Sequence, residues 1–312
     1  MKKCALVYNK NSSGCKRKVF NAVVQEIKDS GYIPVPINSD HQNFLIDSME
    51  DLNEEFDIIL SMGGDGTVNK AYEGFNKLKN EQKALYGHIP AGTTNDMGPN
   101  TNTPRYFPKI ATRLLLHGII EERDIVTLND RAIAYVGAMG VLAPVTYLID
   151  ESEDKKDAGT FSYIRYGASQ FFKNPELYKN IVNNPYNITY ETQEQKINTD
   201  AIFIAIFNAR SFANLKINPF ADMTNGTFDV AIVHNPKELL SLVASTFVLE
   251  EGCMGNKKDS IFTTDYLKLT FENKTPIYPA NCDGDAIDIL NGSNTIEVKT
   301  KKKIKQLVGR RF

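Results

Sequence analysis

At 312 residues the chain is long for one core, and two domains are expected. An apolar share of 42% is ordinary for a globular protein, and with 24% charged residues it argues against disorder. Basic and acidic residues nearly cancel, 36 against 38, so no net field draws the chain to nucleic acid.

No stretch nears the roughly 18 apolar residues that span a bilayer. Met1-Lys2-Lys3 leads into an apolar run too short for a signal peptide. Cys4, Cys15, Cys253 and Cys282 have no paired metal spacing and are too few for a disulfide framework. They read as reduced thiols of a cytoplasmic protein.

In chain order, Ala5–Tyr8 reads as a buried strand and Asn9–Gly14 as a polar turn. Lys16 to Ser30 carries Val19, Ala22, Val23 and Ile27 at helical spacing, closed by Gly31. Tyr32–Ile37 is a second strand whose two prolines suggest a sheet edge. Asp57–Met62 and Ala84–Pro90 are a third and a fourth. Between them a polar helix is predicted from Asn69 to about Lys79. Strands alternating with helices imply a parallel or mixed sheet, with ligands beyond the strands' carboxyl ends.

After residue 125 the texture changes to short β-branched or aromatic segments parted by Asn and Gly. They are Ile188–Thr192, Ala201–Ala209, Thr227–Val233, Tyr266–Phe271 and Thr295–Lys299, an antiparallel pattern. Two helical inserts are predicted near Thr160–Phe172 and Pro236–Leu249. The expected division is an α/β domain over 1–126 and a β-rich, sandwich-like domain over 127–299. The tail, about 300–312, is expected to pack back on the first domain.

The strongest chemical signal is Gly63-Gly64-Asp65-Gly66-Thr67, set directly after a buried strand. Bare backbone N–H groups at a strand end suit a phosphate. Gly64 and Gly66 would admit close approach, Asp65 would reach a nucleotide sugar or a metal, and Thr67 would donate to a phosphate oxygen. Ala91-Gly92-Thr93-Thr94-Asn95-Asp96 follows the next strand, and Asn9 to Gly14 lies at the same edge. The histidines, His41, His88, His117 and His234, share no ligand spacing and read as structural or surface residues. From Lys299 to Arg311 the tail carries seven basic residues. Solvated charge is its default reading, and attraction to anionic lipid head groups its functional one.

The Asn-x-x-Ser-Ser-Gly loop at 9–14, GGDGTVN at 63–69, PAGTTND at 90–96 and Asp283-Gly284-Asp285 together resemble the bacterial diacylglycerol kinase and lipid kinase family. Sphingosine kinases belong to it, and NAD kinases are more distant relatives. The resemblance implies a Rossmann-like N-terminal domain of the NAD kinase and diacylglycerol kinase type, and a β-rich domain for the lipid. It implies ATP contacts from Asn9, Ser12, Ser13, Gly14, Ser39, Gly63, Gly64, Asp65, Gly66, Thr67, Asn69, Thr93, Thr94 and Asn95. Asp283 is implied as general base, with Asp285 beside it, and Mg²⁺ as the accompanying ion. The family's structural-magnesium loop corresponds to Asp222, Asn225 and Thr227. The implied nucleotide site is an inter-domain cleft.

The implied reaction is phosphoryl transfer from ATP to a lipid hydroxyl, that of diacylglycerol first, by a protein peripheral to the membrane, with a homodimer as the expected assembly. A soluble acceptor such as NAD, or nucleotide or lipid binding with impaired catalysis, are the alternatives. Departures from the family pattern motivate the latter. Lys70 stands where Glu is usual, Asp285 replaces Glu, Asn225 replaces Asp, and 209–213 is Ala-Arg-Ser-Phe-Ala rather than glycine-rich.

Overall fold

Four short aliphatic runs build a parallel sheet: β1 (Lys3–Tyr8), β2 (Ile33–Asn38), β3 (Ile58–Gly63) and β4 (Leu85–Pro90). Their order is β2-β1-β3-β4. The computed structural model describes residues 2–10, 14–143, 179, 182–212, 216–247, 261–273, 279–288, 290 and 292–310. The predicted insert at Thr160–Phe172 lies outside them. The chain divides into two units, Met1–Ile125 with Lys302–Phe312, and Val126–Lys301.

In the first unit β2 takes the edge, as its prolines demand. Ile33 N–H donates to Lys2 O at 3.0 Å, so the nitrogens of Pro34 and Pro36 face away from the ladder. The crossovers are α1 (Arg17–Asp29), α2 (Phe44–Asp47), α3 (Met49–Glu55), α4 (Asp65–Lys77), α5 (Met97–Asn100) and α6 (Pro108–Leu116). α1 ends in a Schellman turn. Gly31 sits at φ +87°, its N–H donates to Lys28 O at 2.9 Å, and Tyr32 N–H reaches Ile27 O at 3.2 Å. Val23, Ile27 and Leu115 pack with Leu6, Leu60 and Ile89 on one face of the sheet. On the other, Tyr72 and Phe75 of α4 stand edge-on to Tyr86, with ring centroids 6.5 and 5.3 Å apart.

The helix after the glycine-rich loop differs from expectation in two ways. It starts at Asp65, not Asn69, so Gly66 and Thr67 form its first turn. It is also not a polar surface helix: Val68, Asn69 and 71–76 are buried, because it lies across the sheet.

The second unit is antiparallel. One sheet runs from β16 (Thr295–Val308) through β13 (Tyr266–Phe271) and β8 (Tyr186–Glu191) to β9 (Lys196–Ala201). The other orders β12 (Ile261–Thr264), β11 (Phe228–Val233), β10 (Phe203–Phe207), β7 (Val136–Gly140), β14 (Ala280–Cys282) and β15 (Asp285–Ile287). Tyr190 of β8 and Phe262 of β12 stack at 5.4 Å, so the two sheets face each other as a sandwich. β5 (Ile119–Leu128), β6 (Arg131–Ile133) and α7 (Pro236–Phe247) complete the described elements.

The last strand runs further than Lys299, where its end is expected. β16 continues to Val308, buries Ile304, Gln306 and Val308, and pairs Gln306 with Tyr86 of β4. Its amines have partners: Lys299 with Glu297, Lys301 with Asp130, Lys303 with Asp124, Lys305 with Glu81, and Lys302 with Leu78 O. Strand pairing holds this segment in place, with its lysines facing outward from the buried side chains.

Candidate active site

The loops after β1, β3 and β4 meet at one sheet edge, held backbone to backbone. A Cβ on Gly14 would lie 1.6 Å from Ala91 O, and one on Gly92 would lie 2.4 Å from Gly64 Cα. No other residue fits at either contact. Gly64 thus serves loop packing, whereas among the described residues nothing stands within 4 Å of the Cβ position of Gly66. Gly66, exposed in the first turn of α4, is the glycine a phosphate can approach.

Asp65 departs most from expectation. Its Oδ2 accepts the Thr94 hydroxyl at 2.5 Å and its Oδ1 the Asp96 N–H at 2.7 Å. The carboxylate pins the third loop to the second instead of presenting itself to a sugar or metal. Asn95, at φ +54°, is likewise spent within the loop. It accepts from Gly92 N–H at 2.6 Å and donates to Gly92 O and Arg105 O, both at 2.8 Å. Arg105, which no motif marks in the sequence, clamps the same loop by donating to Thr94 O and to Asp96 Oδ1, both at 2.8 Å. Asp96 is buried, so this charge pair is largely removed from water.

The other candidates divide. Thr93 is exposed at the loop tip, Asn9 is exposed at the end of β1, and Lys70 is half-buried in α4. Ser39 is tied to β1, its N–H and hydroxyl donating to Tyr8 O at 2.8 and 3.2 Å. Thr67 folds back over Gly63, where an added Cβ would meet its Oγ1 at 2.2 Å. Asn69 is buried, and both its amide atoms lack a hydrogen-bond partner among the described residues. Ser12 and Ser13 lie outside the described residues.

Beneath the loops lies His88, fully buried, which its scattered sequence position did not mark. Its Nδ1 shares a hydrogen bond with Ser61 Oγ at 3.0 Å, and Ser61 meets the Tyr86 hydroxyl at 2.8 Å. Burial holds the imidazole down to about 4, against the opposing pulls of Asp65 and of the Gly63 backbone.

In the second unit, Asp283 and Gly284 turn β14 into β15 at φ +55° and +98°, the left-handed pair a tight hairpin requires. The Asp283 carboxylate accepts three backbone N–H groups: Ala134 on Oδ2 at 2.6 Å, and Tyr135 and Val136 on Oδ1 at 2.8 and 2.9 Å. Its own N–H returns to Val136 O at 3.0 Å. Desolvation of the carboxyl nonetheless raises its pKa from 3.8 to about 6; the three donors pull it down and Asp285 adds a smaller upward push. Buried Asn281 sets the turn, accepting from Gly284 N–H at 2.9 Å and donating to Ala143 O at 3.1 Å.

At the loop expected to hold magnesium, the described side chains bond to their neighbours. Asp222 Oδ1 accepts the N–H and hydroxyl of Thr224 at 2.9 and 2.7 Å. Asn225 Oδ1 accepts those of Thr227 at 2.9 and 2.8 Å. These are local Asx turns holding a single carboxylate, a poor fit to a hard cation. Among the described residues no group of three or more acidic, His or Cys side chains could hold a metal.

Residues 3–128 match the family model of the diacylglycerol kinase catalytic domain. The chain is similar to the diacylglycerol kinase of Bacillus subtilis (strain 168), 24% identical over 303 residues, 94% of this chain and 92% of that protein. It is 26% identical over 237 residues to the diacylglycerol kinase of Staphylococcus haemolyticus (strain JCSC1435), 75% of this chain and 68% of that one. A solved diacylglycerol kinase from Bacillus anthracis str. Sterne shares the fold, with a TM-score of 0.74 at 14% identity, over 99% of this chain and 97% of that one. Residues 3–128 therefore match a diacylglycerol kinase catalytic domain, and the chain as a whole is similar in sequence and fold to bacterial diacylglycerol kinases.

Proposed function

We propose that the protein transfers the γ-phosphoryl group of ATP to the free hydroxyl of diacylglycerol, giving phosphatidate. The observation that carries the chemistry is the Asp283 carboxylate. Its position is fixed by three N–H donors, and burial raises its basicity toward the working range of a general base. Oδ1 accepts two of those donors and Oδ2 one, so Oδ2 keeps the lone pair that takes the hydroxyl proton. As that proton leaves, the acceptor oxygen attacks the γ-phosphorus and ADP departs. Asp285 contributes negative charge that keeps Asp283 basic.

Positioning and charge neutralisation dominate such a transfer. Gly66 N–H at the start of α4, the Thr93 hydroxyl, Asn9 and Lys70 are the groups of the first unit proposed to hold the phosphates. Mg²⁺ carried in with the nucleotide supplies charge neutralisation between the phosphates. Diacylglycerol is chosen because the relatives are named for it. A second reading, nucleotide binding with impaired transfer, draws on the Asp222–Thr227 loop, whose side chains bond locally and supply a single carboxylate. Purified protein incubated with labelled ATP, Mg²⁺ and a total membrane lipid extract decides by mass spectrometry. Labelled phosphatidate supports the proposal; label in a soluble acceptor, or in none, rejects it.

A further inference from the structure

The backbone that holds Asp283 needs support of its own. Ala134 and Tyr135 link β6 to β7 outside any strand, and both are fully buried, as is Ile133 before them. Buried backbone outside a ladder must find other partners for its N–H and C=O groups. The N–H groups of Ala134, Tyr135 and Val136 go to the Asp283 carboxylate, and Val136 O takes the Asp283 N–H.

The carbonyls of the link turn to Asn208, which follows β10. Its N–H donates to Tyr135 O at 2.9 Å, joined there by Ala209 N–H at 3.2 Å. Its Nδ2 spans the carbonyls of Ile133 and Ala134, at 3.3 and 3.4 Å. In the sheet β7 lies between β10 and β14. The link is therefore gripped from the β10 side by Asn208 and from the β14 side by Asp283. An asparagine suits the place, because its short amide carries two hydrogens for two carbonyls. Aspartate would bring only acceptors, and leucine would leave both carbonyls without that donor. At 2% exposure, Asn208 does not meet a substrate and acts only through the link.

We propose that Asn208 is a positioning residue for Asp283: it fixes the carbonyls of the 133–135 link and so aims the N–H groups of Ala134, Tyr135 and Val136 at the carboxylate. The inference rests on Asp283 acting as the general base. Without the amide, two buried carbonyls lose a donor and the link can turn, so its N–H groups no longer converge. A carboxylate that stays desolvated but loses donors holds its proton more tightly. Asp285, the charged group that acts on Asp283, pushes in the same direction.

The test compares the full chain with Asn208→Ala and Asn208→Ser. Val230→Ala serves as control for a weakened core, at a fully buried position of β11 opposite Ile206. Each protein is assayed for diacylglycerol phosphorylation across pH. Asp283 is also titrated directly by carbon-13 NMR of carboxyl-labelled aspartate, its signal assigned by its absence from Asp283→Asn. In Asn208→Ala the acidic limb and the Asp283 titration should both move up by roughly one pH unit, the worth of one hydrogen bond to a charged group. At pH 6 kcat should then fall about fivefold while KM for ATP holds. Asn208→Ser keeps one donor and should move less; it carries the test where the alanine variant does not fold. Val230→Ala should melt lower with its limb in place. An unmoved titration in the Asn208 variants, or a loss of kcat with the limb in place, would overturn the inference and leave Asp283 as the base. A shifted titration beside undiminished transfer by Asp283→Asn would retain the hold of Asn208 on the carboxylate and remove the proposed base.

Discussion

Asp65 and Thr94 form a 2.5 Å hydrogen bond that joins the glycine-rich loop to the loop after β4. With the Asp96 N–H on the other carboxylate oxygen, Asp65 works as a strut between loops. Asp65→Ala would leave a hydroxyl and an N–H without their acceptor, at a cost of about 2–3 kcal/mol. Asp65→Asn, keeping one acceptor, should cost less. Urea unfolding of both variants checks the order. Nucleotide affinity should fall in step with stability, whereas a direct ligand would lose affinity with no loss of stability.

Arg105→Ala should behave like a core defect although the residue is partly exposed. Its removal takes the guanidinium away from the buried Asp96 carboxylate, at a cost of about 3 kcal/mol. Arg105→Lys should recover only part of this, because a single ammonium cannot reproduce both guanidinium contacts. Thermal melts of the two variants give the comparison.

The glycines of the loops should separate by function. Gly92→Ala sets a methyl 2.4 Å from Gly64 Cα and must spread the loops, lowering both stability and nucleotide affinity. Gly66→Ala meets nothing within 4 Å and lies in a helix, where alanine is favoured by about 0.5–1 kcal/mol. Its stability should hold or rise while its affinity for ATP falls. Equal affinity in the Gly66 variant would remove that position from the phosphate site.

Two desolvated groups should shape stability against pH in opposite senses. Asp283 is raised from 3.8 to about 6, so between these values the folded protein holds a proton that the unfolded chain releases. Stability from this group therefore falls as pH rises through that window, by at most about 3 kcal/mol. His88 is lowered from 6.5 to about 4 by burial, so the unfolded chain binds the extra proton. Its contribution is lost as pH drops below about 6.5. Urea unfolding across that range, in wild type and in His88→Gln, should show the acid-side loss shrink in the variant.

Asn281 offers a finer test of how Asp283 is held. Asn281→Ala removes the acceptor for Gly284 N–H and loosens the turn. The expected signature is a fall in kcat with little change in KM for ATP, and a shifted acidic limb of the pH profile. Asn281→Asp keeps the acceptor and adds negative charge beside Asp283, so its acidic limb should move to higher pH.

The sequence carried the parallel unit well. The prolines of β2 marked an edge, Gly31 a helix end, and the three glycine-bearing loops one sheet edge. Roles set by distant partners were hidden. Asp65 is engaged 29 and 31 residues away, and Asp283 by N–H groups 147 to 149 residues away, spacings that no local motif encodes. Strands without a buried alternation were also missed. β9 is mostly exposed and reads as polar loop, and β6, β14 and β15 are three residues each. β16 was mistaken past Lys299 because its lysines face outward between Ile304, Gln306 and Val308, so charge masked a period of two.

The most direct measurement is phosphoryl transfer from γ-labelled ATP to diacylglycerol in mixed micelles, wild type against Asp283→Asn, across pH. Circular dichroism and nucleotide binding should accompany it, because the asparagine also disturbs the three N–H contacts. Labelled phosphatidate is expected from the wild type, with an acidic limb near the raised value of about 6. A folded, nucleotide-binding Asp283→Asn protein should give none. Undiminished transfer by that variant, or no lipid labelled by the wild type, would contradict the account.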